Sequence, residues 1–261
     1  MNLPPAFAGL EAQLWIWMVA MIRPGAAFFA APLFGMAAVP VQLRLVIALA
    51  IGMAGLNAAP FALPPGGIAS FAGVALVLGE ILAGLALGFA VQIGFSAAAL
   101  AGETISNTMG LGFAALVDPA SRAATPAVGQ FLQLLATFLF LAIGGHLTLA
   151  TIVVDSYRAL PVGAAWLGPE SVRGLLMFGG DMLAAGVAIA LPVTFALVLV
   201  QIVMGMLARS APAMNLFAVG LPATLLAGII LLAIAAPVMG EGITTAIARG
   251  LDEAHRIALG H

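Results

Sequence analysis

Six stretches without a single charged side chain run through the sequence, at residues 24–43, 45–79, 81–102, 123–154, 182–208 and 210–240. A helix rises about 1.5 Å per residue, so about 20 apolar residues cross a hydrocarbon core about 30 Å thick. Each stretch is at least that long. A membrane-spanning strand would instead alternate apolar and polar positions over about 10 residues, and none of the stretches alternates. The chain is therefore expected to be all-α: a polytopic membrane-associated helical bundle of about six long kinked helices arranged as hairpins, forming a single domain over residues 1–261. Composition agrees, since 64% of the residues are hydrophobic and 7% charged. An ordinary soluble domain carries about 25% charged residues, so too few remain here to cover a water-facing surface.

The same scarcity excludes several functions. All eight basic residues are arginines, and ten acids bring the net charge to -2, which leaves no basic face for nucleic acid. There is no cysteine, hence no disulfide, thiolate metal site or cysteine nucleophile. His146, His255 and His261 lack the i, i+4 spacing of helical metal ligands, so no metal and no other cofactor is expected. No serine sits in a Gly-x-Ser-x-Gly elbow, and Phe178-Gly179-Gly180-Asp181 departs from the Gly-x-Gly-Asp turn of aspartyl membrane proteases. No catalytic residue is assigned, and an enzyme ranks third among the readings. Gly110-Leu111-Gly112-Phe113 follows no strand and lacks the third glycine of a nucleotide fingerprint.

Helices fitted to the stretches fall near residues 8–30, 42–59, 70–101, 126–155, 175–208 and 221–250, with long connections at 102–125 and 156–174. Residues 183–207 form the most convincing span, where Leu, Ile, Val and Phe outweigh Gln201 and Pro192. Arg23-Pro24 interrupts the first span, and a central arginine costs about 2.5–3.5 kcal/mol on the insertion scale. Pro60, Pro64 and Pro65 with Gly66 and Gly67 require a turn between the second and third helices. The first 14 residues carry Glu11 and no basic group, so the first helix is expected to be retained rather than cleaved. If the helices alternate, Arg44, Arg122 and Arg209 lie on one side and Arg158, Arg173, Arg249 and Arg256 on the other. That gives no positive-inside bias. Either the sample of arginines is too small, or some helices do not span the bilayer in the ordinary way and rely on protein or water for cover.

Three features bear on function. Glu80 lies within the third apolar helix, where an acid is normally paired or faces water; its partner is an arginine of this chain or of another subunit. Gly84-x-x-x-Gly88, one turn on, allows close helix approach, although such spacing also arises by chance in a glycine-rich span. The second feature is the connection from Gly102-Glu103 to Asp118-Pro119. Its middle, 109–117, is as apolar as a span and must be covered, either by its own protein or within a shared pore. Gly110 and Gly112 permit a compliant turn, while Met109, Leu111, Phe113 and Leu116 supply a deformable apolar seal. Glu103, Asp118 and Pro119 anchor its ends. The third feature runs from Arg209 to Pro222. Pro212 and Pro222 interrupt the helix, Asn215 can bond the freed backbone, and Phe217 and Gly220 complete a re-entrant or hairpin tip. Beyond it, Ile243, Ile247 and Leu251 form the apolar stripe of an amphipathic helix that is either a solvated end or a docking surface.

The ordered set of residues resembles the FliR family of flagellar type III export-gate subunits and its injectisome relatives. The matching pieces begin with Arg23, Pro32-x-Phe34-Gly35, Val39-Pro40-x-x-x-Arg44 and Gly79-Glu80 with Gly84 and Gly88. They continue through Gly102-Glu103, Gly110, Phe113 and Asp118-Pro119, then Phe140-Leu141 and Gly145-His146-Leu147. Arg209-x-x-Pro212-x-Met214-Asn215-x-Phe217-x-x-Gly220-x-Pro222 closes the set. Ala213 departs from the pattern, where the family would carry Gln. The resemblance implies a multi-pass subunit of the bacterial inner membrane, within the flagellar basal body, present in one copy with FliP, FliQ and FlhB partners. The assembly would form a channel for unfolded flagellar export substrates, and residues 109–117 would match its plug. The competing reading is an autonomous polytopic small-solute transporter or channel using Glu80 and Glu103 as coupling acids.

Overall fold

The computed structural model describes residues 5–36, 39–59, 61, 64, 66–112, 127–163, 168–210 and 216–260. Among them are seven α-helices and no strand: α1 (Pro5–Ala30), α2 (Val41–Ala58), α3 (Phe71–Thr108), α4 (Ala127–Ala142), α5 (Gly145–Ala159), α6 (Pro169–Ser210) and α7 (Leu216–Ala258). Helices α1, α2, α3, α6 and α7 are each long and apolar enough to cross a membrane, and the bent pair α4–α5 makes a sixth if it is one broken span.

Local chemistry explains where the helices begin and bend. Gly66 and Gly67, with φ of 96° and 71°, make the turn before α3. The Ser70 hydroxyl then caps that helix, accepting the Gly73 N–H at 3.1 Å while donating to the Gly67 carbonyl at 2.7 Å. Helix α6 carries Glu170 in its first turn and Arg209 in its last, the polarity its dipole favours. A single helix over 126–155 is not what forms. Gly144 adopts the left-handed conformation (φ 71°, ψ 20°), and α4 and α5 meet there at 66°.

Three further expectations are corrected. Helix α3 does not stop near residue 101 but runs on through Gly102 and Glu103 to Thr108. A Cβ at Gly102 would lie 2.5 Å from Gly129 Cα, so close packing on α4 offsets the roughly 1 kcal/mol that a glycine costs a helix interior. Pro222 does not interrupt a helix either, since α7 passes through both Pro222 and Pro237. The connection before α6 is also shorter than expected, because α5 extends to Ala159 and takes in Ser156 and Tyr157.

The chain packs as two units. The first comprises residues 1–93, 143–179 and 248–261, the second residues 94–142 and 180–247, and α3, α6 and α7 contribute to both. In the first unit α1 lies against α2 and α3 through small residues: a Cβ on Gly52 would run into the Ala20 carbonyl, and one on Gly84 or Gly88 into the carbonyls of Arg23 or Ala27. In the second, Phe95 meets Phe140 edge-on at 5.4 Å, and Gly186 admits the Ala97 carbonyl. The stripe of Ile243, Ile247 and Leu251 on α7 is covered by the chain itself, whereas Arg249, Asp252 and Arg256 are exposed.

Candidate functional site

The charged residues that fit the membrane reading worst are brought together in the first unit. Arg23 of α1 and Glu80 of α3, 57 positions apart, form a two-pronged ion pair: Arg23 Nε donates to Glu80 Oε2 and Nη2 to Oε1, both at 2.9 Å. Both side chains are 0% exposed. Arg23 Nη1 also donates to Ser156 Oγ at 3.0 Å, and Nη2 to the Leu160 carbonyl at 2.8 Å. Its Cζ sits 4.2 Å from the ring centroid of Tyr157. Four of the five guanidinium N–H groups thus find acceptors, as a charge removed from water requires. Glu80's partner, left open by the sequence, is an arginine of the same chain.

Tyr157, the sole tyrosine, resolves the neighbouring misfit. Pro24 has no N–H, so the carbonyl of Ala20, four residues earlier, loses its intrahelical donor. The Tyr157 hydroxyl donates to that carbonyl at 3.0 Å. Gly55 makes room for the ring, since a Cβ there would lie 2.5 Å from Tyr157 Cδ2. One knot of side chains from α1, α3 and α5 therefore neutralises both the arginine and the proline in the middle of α1. Sequence reasoning missed Ser156 and Tyr157 because it placed them in a loop; the signal available was the lone tyrosine beside a serine at the end of an apolar stretch.

The second arrangement, in the second unit, is the root of the apolar connection. Helix α3 ends in a Schellman turn: the Leu111 N–H reaches the Ser106 carbonyl at 3.0 Å and the Gly110 N–H the Asn107 carbonyl at 3.1 Å, with Gly110 at φ 86°. Among the described residues, the next two carbonyls have no backbone donor and are met by side chains from other helices. Gln201 of α6 donates its amide to the Thr108 carbonyl at 2.7 Å. The Thr224 hydroxyl of α7 lies 3.3 Å from the Met109 carbonyl and shares its one proton with the carbonyls of Gly220 and Leu221. Met109 itself is only 2% exposed and fills a notch at Gly228, where a Cβ would lie 2.6 Å from its Cε. It packs against α7 at the end of α3.

The remaining expected site residues are dispersed. Glu103 is exposed on α3, and Leu111 and Gly112 are half-buried just beyond Gly110. Arg209 is exposed in the last turn of α6; Phe217, Gly220 and Pro222 belong to the start of α7. Phe113, Leu116, Asp118, Pro119, Pro212 and Asn215 lie outside the described residues.

Comparison with known sequences then decides the family. The family model described as "Bacterial export proteins, family 1" matches residues 14–250. The chain belongs to this export family. Among its relatives, the flagellar biosynthetic protein FliR of Escherichia coli K12 is 35% identical over 227 residues, 87% of this chain and 85% of that one. Proteins of the same name are 29% identical in Aquifex aeolicus, over 88% of both chains, and 29% identical in Bacillus subtilis, over 83% of this chain and 84% of the other. Arg23, Glu80, Tyr157, Gln201 and Thr224 all fall inside the span that the export family matches.

Proposed function

We propose that this chain is a core subunit of the flagellar type III protein export gate of the bacterial inner membrane. One copy assembles with FliP-, FliQ- and FlhB-like subunits to form, and at rest to plug, the channel through which unfolded flagellar axial proteins leave the cell. The observation that carries this reading is membership of an export family over almost the whole chain, joined to similarity with proteins named for flagellar biosynthesis. Helix surface supports a multi-subunit setting. Within an 18-residue apolar window of each helix, 56% of the residues are buried by the chain in α3, against 22% in α6 and 11% in α7. Leu199, Ile202, Val203 and Met206 on α6, and Ile229, Ile230 and Ile234 on α7, are left uncovered, which suits lipid and neighbouring helices alike.

The transporter reading is weakened by Glu80. A coupling acid must exchange protons or ions, and a carboxylate held by both oxygens on a buried arginine is spent on structure. The test is export itself. In the native bacterium, removal of the chain should abolish secretion of hook and filament subunits and re-expression should restore it; undiminished secretion without the chain would refute the proposal.

A further inference from the structure

Helix α1 is the least apolar of the five helices able to cross a membrane. Its window, Gln13–Ala30, has a mean hydropathy of 1.2, against 1.6 for α2, 2.3 for α3 and α7 and 2.5 for α6. Near the middle of that window sit two defects. An uncancelled central arginine lowers insertion about a hundredfold, and the Ala20 carbonyl freed by Pro24 finds no water in lipid. The groups that remove these defects lie far along the chain. Arg23 is met by Glu80, 57 positions on, and by Ser156 and the Leu160 carbonyl, 133 and 137 positions on. The Ala20 carbonyl is met by Tyr157, again 137 positions on. Helix α2, next in sequence, adds space at Gly52 and Gly55 and, among the described residues, no hydrogen bond to either group.

We propose that α1 is a conditional span, with Glu80 and Tyr157 as its positioning residues: α1 keeps its depth across the membrane only while α3 and α5 lie against it. The dependence runs one way. Residues 81–102 give α3 an uncharged stretch long enough to cross with Glu80 at its edge, whereas Arg23 lies well inside the window of α1. Without its partners, α1 moves to the membrane surface, with Arg23 in water and Trp15 and Trp17 at headgroup level, where tryptophan is favoured. This dependence belongs to the chain itself and is separate from the export-gate reading. It also parts membrane position from stability. Arg23→Met removes the group that α1 cannot carry, so α1 stays in place even though Glu80 is stranded; Glu80→Gln leaves the arginine uncancelled and releases α1.

The sequence has no cysteine, so Met18→Cys, on the exposed apolar side of α1, serves as a single reporter in the full-length chain. The chain is made in the native bacterium, a thiol reagent that does not enter lipid is supplied on both sides of the membrane, and the labelled fraction is measured per membrane-bound chain. The expected result is little labelling with the reporter alone and a rise of at least about tenfold with Glu80→Gln. Tyr157→Phe should give a smaller rise. Labelling should stay low with Arg23→Met, with Arg23→Met plus Glu80→Gln, and with Tyr157→Phe plus Pro24→Ala. If Glu80→Gln reduces the chain recovered from membranes, Tyr157→Phe and its Pro24→Ala rescue carry the same comparison. A knot that only stabilises the fold would instead give labelling in the order of lost stability, greatest for Arg23→Met. That order, labelling unmoved by both Glu80→Gln and Tyr157→Phe, or strong labelling with the reporter alone would overturn the inference.

Discussion

Replacing either partner of the Arg23–Glu80 pair should destabilise the chain, and the two replacements should differ. Removing one member of a buried ion pair costs about 3–5 kcal/mol, because the other charge is left in a place without water. The geometry predicts which loss is worse. Arg23→Met strands Glu80, whose two oxygens both depend on Arg23 among the described residues, and also frees Ser156 Oγ and the Leu160 carbonyl. Glu80→Met leaves Arg23 with Ser156, Leu160 and the Tyr157 ring. Arg23→Met therefore belongs near the top of that range and Glu80→Met near the bottom. The double variant, with no charge left to bury, should be less destabilised than Arg23→Met alone. At about 2–4 °C per kcal/mol for a domain approaching this size, Arg23→Met should lower the melting midpoint of the detergent-solubilised gate by about 10 °C, and the double variant should recover at least half of that. Equal midpoints for the two single variants, or a double variant that simply sums them, would refute the reasoning.

Other consequences follow from the same geometry. Tyr157→Phe keeps the ring over Arg23 but orphans the Ala20 carbonyl, costing about 1–3 kcal/mol; adding Pro24→Ala returns a backbone N–H to that carbonyl and should rescue much of the loss, read as melting midpoints of the four-member cycle. Gly88→Ala drives a Cβ into the Ala27 carbonyl and should cost about 1–3 kcal/mol. Gly180→Ala, with open space around the new Cβ, should instead stabilise α6 by about 0.5–1 kcal/mol. Gly110→Ala strains a residue at φ 86°, costs about 1 kcal/mol, and should raise resting leak without abolishing secretion.

Much of the architecture is legible in where charge is missing. The charge-free stretches locate α2, α6, α7 and most of α3 because crossing a membrane is a demand on composition, and composition is local. What escaped reading depends on partners distant in sequence. Gly102 looked like a helix end because its packing on Gly129 cannot be seen from α3 alone. Gly144 and Gly145 sit in an apolar run whose continuity hid the 66° bend. Arg23 and Glu80 were each visible as anomalies, yet nothing in a single sequence joins positions 57 apart. Tyr157 and Gln201 were harder still. Each serves a backbone carbonyl that only a proline or a helix end leaves free, so their role appears once those carbonyls are in place.

The central claim, that this chain works as one subunit of an export gate, is tested most directly by purifying it from its native membrane in mild detergent and counting the subunits. The account predicts a hetero-oligomer with one copy of this chain and several copies of smaller helical partners, and no solute flux from the chain alone in liposomes. A monodisperse, partner-free oligomer that carries solute would contradict it.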